Sequence, residues 1–319
     1  MKLLITGGSG TLGREITKLA IANNHQVNIL TRNKKLVSNN NNLKHLLSIS
    51  SLLVSNNNNL KYYYWNPNKE EIDSKCFKGV NTVINLAGFS VFKLWTKTNK
   101  SKILSSRLIS TFFILKQIKE RGIKLNSFVS ASGIAAYPDS ISKTSSEKNS
   151  ESIPGSFINQ VVVEWESKVL EFEKQLPGIS FSILRIGLVL SKEGGVFSIS
   201  KKLSMIYALS PLGRGNQWQS WIHIDDASSI FLKCINNTSK GVFNLVAPNP
   251  VVQSELLRKI ALYNRSAIIL PNIPKFIVKL FFGQMSELVL SSQKVISNNL
   301  NDYNFKFPDI DSAIKNLSN

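Results

Sequence analysis

At 319 residues, 43% of them hydrophobic, the chain is long enough for one large α/β domain with a small appendage and apolar enough to bury a core. Lys and Arg outnumber Asp and Glu by 39 to 20, giving a net charge of +19, but the lysines are scattered among asparagines and serines without a basic–aromatic module, so no nucleic acid is expected as partner. The two cysteines, Cys76 and Cys234, have neither metal nor redox spacing and argue for a reducing compartment, and no apolar run reaches the roughly 18 residues of a membrane span.

The first apolar run is LLIT (3–6). A strand starting at Lys2 leaves no room ahead of it for a signal or transit peptide, so a cytoplasmic protein with no membrane partner is expected. TGGSGTLG (6–13) follows and opens an amphipathic helical pattern over 11–23, and QVNILT (26–31) reads as the second strand. The nonapeptide LVSNNNNLK then occurs twice, at 36–44 and 53–61. A polar repeat this short cannot bury a core, so 36–61 reads as a duplicated low-complexity surface insertion.

TVINLA (82–87), LNSFVSAS (125–132) and SFSILRIGLVL (180–190) are further β-branched runs, separated by helical patterns at 97–121 and 156–175. Strands alternating with helices imply right-handed crossovers and a mostly parallel sheet covered on both faces. The fold class is therefore α/β, a Rossmann-like doubly wound sheet. From about residue 250, Pro248, Pro250, Pro271 and Pro274 punctuate the chain, with helical patterns at 253–263, 274–281 and 284–292. They predict a small helical C-terminal lobe at 247–319, after the large sheet domain at 1–246.

The glycine loop sits between a strand and a helix, which is the context its chemistry needs. Gly7 supplies the tight turn, Gly10 lets the backbone approach a pyrophosphate, and Gly13 lets the helix pack closely on the sheet. At the end of the second strand an NAD site wants a carboxylate for the ribose hydroxyl. The chain instead has Thr31, Arg32, Asn33, Lys34 and Lys35. A guanidinium and neighbouring ammonium groups suit a 2′-phosphate, so NADP(H) is the expected cofactor.

The TGxxGxxG spacing resembles the extended short-chain dehydrogenases/reductases. INLAG (84–88), WTKTNKSKILSSR (95–107), SASGIAAY (130–137), LRIGLVLSKEGG (184–195), PLGRGNQWQSWIHIDD (211–226) and SSQKVI (291–296) narrow the likeness. In this order they resemble an atypical branch of that superfamily, the epimerase-family proteins labelled nucleoside-diphosphate-sugar epimerases, which carry an extra C-terminal domain. The resemblance spans nearly the whole chain outside 36–61. It implies a phosphate loop of Gly7, Gly10, Thr11, Leu12 and Gly13, and an adenosine-ribose corner of Thr31 and Arg32. It further implies cofactor contacts at Leu86, Ala87, Arg107 and Val189. It implies a small-molecule substrate, such as a nucleotide sugar or carbonyl compound, and a homodimer. Two positions depart from the family pattern: Gly88 is followed by Phe89 and Ser90 rather than Glu-Asn, and Leu94 stands where a basic residue often precedes the tryptophan.

Short-chain dehydrogenases use a Tyr with a Lys four residues later on one helix, the Lys lowering the phenol pKa. Aligned on VEWE (163–166), those positions hold Ile158 and Val162, and no other Tyr-x-x-x-Lys occurs. Ser132 fits the substrate-holding serine, with Ser130 as the alternative on the same strand. Tyr137 is a candidate proton donor without a lysine beside it. His223 in WIHIDD reads as structural, with an Asp capping the next helix, and Lys168 and Glu164 are expected to face solvent. Arg214, Gln217 and Trp218 form either a polar lip of the substrate cleft or a packed loop. No metal site is expected, since a single His is available near Asp225 and Asp226. Two functions are compatible with these residues: an NADP(H)-dependent oxidoreductase or epimerase, and a non-catalytic NADP(H)-binding sensor or scaffold.

Overall fold

The computed structural model describes residues 1–38, 59–149, 155–235 and 239–319. The first apolar run forms β1 (Lys2–Thr6), the glycine loop leads into α1 (Thr11–Ala22), and β2 (Gln26–Thr31) and a short α2 (Lys34–Ser38) follow. Of the expected insertion, 39–58 lies outside the described residues. Its end is corrected: Leu60 and Lys61 begin β3 (Leu60–Asn66), where Leu60 is buried and pairs with Val27. Burial of that leucine overrides the low-complexity pattern around it. β4 (Glu71–Ile72) folds back antiparallel on β3, and β5 (Thr82–Asn85) returns to the sheet centre.

α3 (Lys97–Glu120) begins where the Thr96 hydroxyl accepts a hydrogen bond from the Asn99 N–H. β6 (Ser127–Gly133) and an outlying β7 (Ser140–Ser145) precede α4 (Phe157–Gln175), which Ser156 caps in the same manner. The long run at 180–190 is two strands, β8 (Ser180–Ile186) and β9 (Leu188–Leu190). Gly187 makes the break, because a Cβ there would collide with the Ser220 carbonyl and the Val246 side chain. β-propensity registers the apolar run but not this crossing of another backbone.

The chain continues through α5 (Gly195–Met205), β10 (Trp218–Gln219), β11 (Trp221–His223), α6 (Ile224–Lys233) and β12 (Gly241–Leu245). The main sheet runs β12-β8-β6-β5-β1-β2-β3-β4, parallel throughout except for β3–β4. The order reverses between β1 and β5, and ligands of such sheets bind outside the carboxyl ends of the strands at that switch point. α1 and α6 cover one face through Ile16, Ala20, Ile230 and Phe231. α3 and α4 cover the other through Phe113, Ile114, Val169 and Phe172.

The rest comprises β13 (Val251–Val252), α7 (Gln253–Tyr263), α8 (Lys275–Phe282), α9 (Ser286–Leu290), β14 (Gln293–Val295) and α10 (Ile310–Ser318). The predicted helices are present, but short strands join them. β13 and β14 enter a four-stranded sheet, β13-β10-β14-β7, shared with earlier parts of the chain. Leu190, Phe197, Trp221, Leu256, Ile260 and Ile314 form a further core between α5, α7 and α10. Among the described residues no helix is long and apolar enough to cross a membrane.

Candidate cofactor and substrate site

The glycine loop leaves β1 at the switch point. Gly7 has φ +70°, and a Cβ on it would lie 2.6 Å from the Leu86 carbonyl oxygen, so only glycine fits. A Cβ on Gly13 would lie 2.5 Å from the Gly7 oxygen and 2.7 Å from the Gly8 Cα. Gly10 is different: it is exposed, and a Cβ there would meet only the Gly7 oxygen, at 3.4 Å. The protein's own packing requires the first and third glycines and leaves the middle one facing outward at the N-terminus of α1.

A buried polar network underlies this loop. The Thr6 hydroxyl donates to Asn85 Oδ1 at 2.8 Å and accepts the Leu86 and Ala87 N–H groups at 3.1 Å each. Asn85 Nδ2 donates to the Thr111 hydroxyl at 2.9 Å, which also accepts from Trp165 Nε1 at 2.9 Å. β1, β5, α3 and α4 are thereby locked beneath Leu86 and Ala87. From the other side, the stretch after Val189 of β9 reaches the loop: Thr11 Oγ1 donates to the Glu193 carbonyl at 3.2 Å, and Arg14 pairs with the Glu193 carboxylate at 2.9 Å. Leu12 packs on the sheet core together with Leu86 and Val189.

Arg107 extends from α3 toward the same edge. One nitrogen donates to the Phe89 and Ile103 carbonyls at 3.0 and 2.9 Å, and the guanidinium lies 5.3 Å from the Trp165 ring centroid. Burial lowers its pKa to about 10, and no carboxylate pairs with it among the described residues. A Cβ on Gly88 would approach its Cζ to 3.0 Å. Arg32, at the other end of the site, is exposed just beyond β2 and has no partner among the described residues, while Thr31 Oγ1 accepts the Asn33 N–H at 3.1 Å.

The region where a proton relay would sit is apolar. Ile158 packs with Trp95, Ile103, Val161 and Met285, and the buried Val162 lies against Gly133. Ser132 Oγ donates at 2.5 Å to Glu166, which Arg185 grips through two nitrogens at 2.9 and 2.7 Å. Burial of Arg185 is outweighed by the Glu166 carboxylate, which raises the guanidinium pKa. Tyr137 is buried, stacks 4.9 Å from that guanidinium, and donates its phenol proton to Asn244 Oδ1 at 2.9 Å. Burial raises its pKa further. Ser132 and Tyr137 thus flank one Arg185–Glu166 pair, each with its proton engaged inside the protein. Ser130 is fully buried and donates to the Ala131 carbonyl at 3.1 Å.

Sequence reasoning missed Glu166. Its signal was present, since it stands one turn beyond Val162 on the face that carries Ile158. The expected Asp cap after WIHIDD is also corrected. His223 itself caps α6, its Nδ1 accepting the Asp225 N–H at 3.1 Å, whereas Asp226 accepts the N–H groups of Lys306 and Phe307. A short imidazole at this turn reaches the N–H that an Asp was expected to take. Trp218 donates to the Ile141 carbonyl at 3.2 Å and Gln217 to the Leu212 carbonyl at 3.0 Å, the arrangement of a packed loop, with Arg214 exposed. Glu164 is exposed, and Lys168 pairs with Glu171 at 2.7 Å along the outside of α4.

Residues 3–245 match the sequence profile of the NAD dependent epimerase/dehydratase family. The chain belongs to that family. Residues 273–317 of this epimerase-family chain match a domain of unknown function, DUF1731. An epimerase family protein of Staphylococcus saprophyticus is 34% identical to it over 98% of each chain, and one of Staphylococcus aureus is 31% identical over 98% of each. Among solved structures, the human epimerase family protein SDR39U1 (isoform 2) with NADPH superposes with a TM-score of 0.81 at 24% identity, covering 100% of this chain and 99% of that one. UDP-N-acetylglucosamine 4-epimerase from Bacillus cereus gives 0.74 at 17% identity, covering 100% and 98%.

Proposed function

We propose that this epimerase-family protein binds NADP(H) and uses it as an oxidoreductase or epimerase on a small polar substrate, of the nucleotide-sugar or carbonyl class. The reading rests on one observation above all: beyond β2, the corner that would meet the adenosine ribose offers Arg32, unpaired among the described residues, and no carboxylate over 31–38. The human relative whose structure contains NADPH supports the same choice. The cofactor would lie across Gly7, Gly10, Thr11, Leu12 and Gly13, with Thr31 and Arg32 at the 2′-phosphate, Leu86 and Ala87 along the adenosine side, Arg107 facing it from α3, and Val189 near the nicotinamide end. When bound it supplies hydride chemistry. The protein orients it, and residues 1–246 and 247–319 act as its dinucleotide-binding unit and C-terminal lobe. The exposed Ile109, Phe112 and Leu170 of α3 and α4 suit the implied homodimer.

The test of cofactor choice is Arg32→Ala. Fluorescence titration should show NADPH affinity falling by about tenfold or more, the size of a lost charge-assisted contact, with NADH nearly unchanged. Equal losses for both would remove the 2′-phosphate assignment.

A second reading, a non-catalytic NADP(H) sensor or scaffold, is favoured by the apolar Ile158–Val162 face and by the internal engagement of the Ser132 and Tyr137 protons. Nicotinamide absorbance followed over a panel of aldehydes, ketones and nucleotide sugars separates the two. Turnover that Ser132→Ala or Tyr137→Phe abolishes supports the enzyme, and tight binding without turnover supports the sensor.

A further inference from the structure

The C-terminal lobe exposes an apolar edge that the cofactor site does not use. On α8 only Val278 is buried, while Phe276, Leu280 and Phe281 are 71%, 78% and 72% exposed. A second segment runs beside the approach to this helix. Ser266 donates to the Ser204 carbonyl at 2.5 Å, Ser210 to the Pro271 carbonyl at 2.6 Å, and the Ile273 N–H to the Pro211 carbonyl at 2.9 Å. This pairing carries Met205, Ile206 and Ile269 alongside, all at least 65% exposed. Exposed apolar side chains in single positions are ordinary; several large ones along one edge mark a contact surface.

Charge identifies the occupant. Residues 194–214 and 264–286, which carry these side chains, contain no Asp or Glu; the flanking acids are Glu193, paired with Arg14, and Glu287 on α9. They contain Lys201, Lys202, Arg214, Arg265, Lys275 and Lys279. Lys202, Lys275 and Lys279 are exposed and unpaired among the described residues. Lys275 and Lys279 stand one helical turn apart on α8, beside the exposed Phe276 and Leu280. Cations bordering protruding apolar side chains suit an interface with anionic headgroups above and acyl chains below, into which lysine stems snorkel. A second copy of the chain would bring two cationic edges together through this surface.

We propose that this edge, with α8 at its centre, seats the protein peripherally on an anionic lipid surface. An interfacial contact of this kind needs no membrane-spanning run. The test is sedimentation of the full chain with vesicles of phosphatidylcholine alone and of phosphatidylcholine mixed with phosphatidylglycerol. The protein should pellet with the mixed vesicles and stay in solution with the neutral ones, and added salt should release it. Phe276→Ser/Leu280→Ser/Phe281→Ser should abolish pelleting, and Lys275→Glu/Lys279→Glu should weaken it by about tenfold and flatten its salt dependence. Unchanged circular dichroism and thermal melting show that both variants fold, as expected for exposed side chains. The proposal is overturned if the unaltered protein fails to pellet with mixed vesicles at low salt, or if the apolar variant pellets equally well. It is also overturned by self-association in vesicle-free buffer that the apolar variant abolishes while vesicle binding is absent, which assigns the edge to a second copy.

Discussion

Single residues divide the glycine loop into parts with different duties. Gly13 is held by backbone atoms, so Gly13→Ala forces the loop and α1 apart, and overpacking of this kind typically costs about 1–3 kcal/mol. Gly10 has φ −72°, and a methyl group there would have no protein atom closer than 3.4 Å, so Gly10→Ala should leave the free protein intact. Differential scanning fluorimetry without cofactor should show a lower melting temperature for Gly13→Ala and none of that loss for Gly10→Ala. With NADPH added, Gly10→Ala should lack the stabilisation that the unaltered protein gains by linkage. The spacing of the glycines alone makes this loop legible. Thr6 is not legible as a partner, because its hydroxyl matters only once β5 lies beside β1 and presents the Leu86 and Ala87 N–H groups.

Elements explain why the helix face at the family's Tyr and Lys positions is apolar here. α4 keeps the amphipathic phase of a helix that packs on α3 and β6, and its positions 158, 162 and 166 descend one face. Ile158 and Val162 leave that face dry, and Glu166 places a carboxylate under it, matched by Arg185 of β8. Truncating one partner of a buried pair leaves the other uncompensated. Glu166→Ala should therefore lower stability by about 3–5 kcal/mol in urea unfolding, against about 1 kcal/mol for Ser132→Ala, which loses one hydrogen bond. Comparable losses for the two variants would show that Glu166 is not held by Arg185 in solution. The dry face could be read from helical phase. The pairing of Glu166 with Arg185 could not, since 19 residues and a strand crossover separate them.

At the scale of the whole molecule, the C-terminal tail returns to the core of the main sheet. Leu300, Tyr303 and Phe305 join the core with α1 and α6, and the Asp226 carboxylate holds the Lys306 and Phe307 N–H groups. His223 lies beneath this tail, its ring 3.9 Å from that of Phe307. Burial drives its pKa down to about 4, against the opposing pull of Asp225 and with help from Lys306 and Lys192. A histidine kept neutral in the fold binds its proton more readily when unfolded, so stability is full above about pH 6.5 and declines as pH falls toward 4. The shift corresponds to about 3 kcal/mol across that window. His223→Asn, which keeps a capping side chain but does not titrate, should flatten the pH dependence of chemical denaturation between those limits. Residues near in sequence carry the information for strands, helices, the glycine loop and the missing Tyr-x-x-x-Lys, because period, turn chemistry and spacing are local properties. The split at Gly187, the Ser132–Glu166–Arg185 cluster, the entry of β14 into a second sheet and the apolar edge around α8 depend on which distant backbones come to lie side by side. That is settled by packing in three dimensions, where a contact between residues far apart in the chain leaves no periodic trace in either segment.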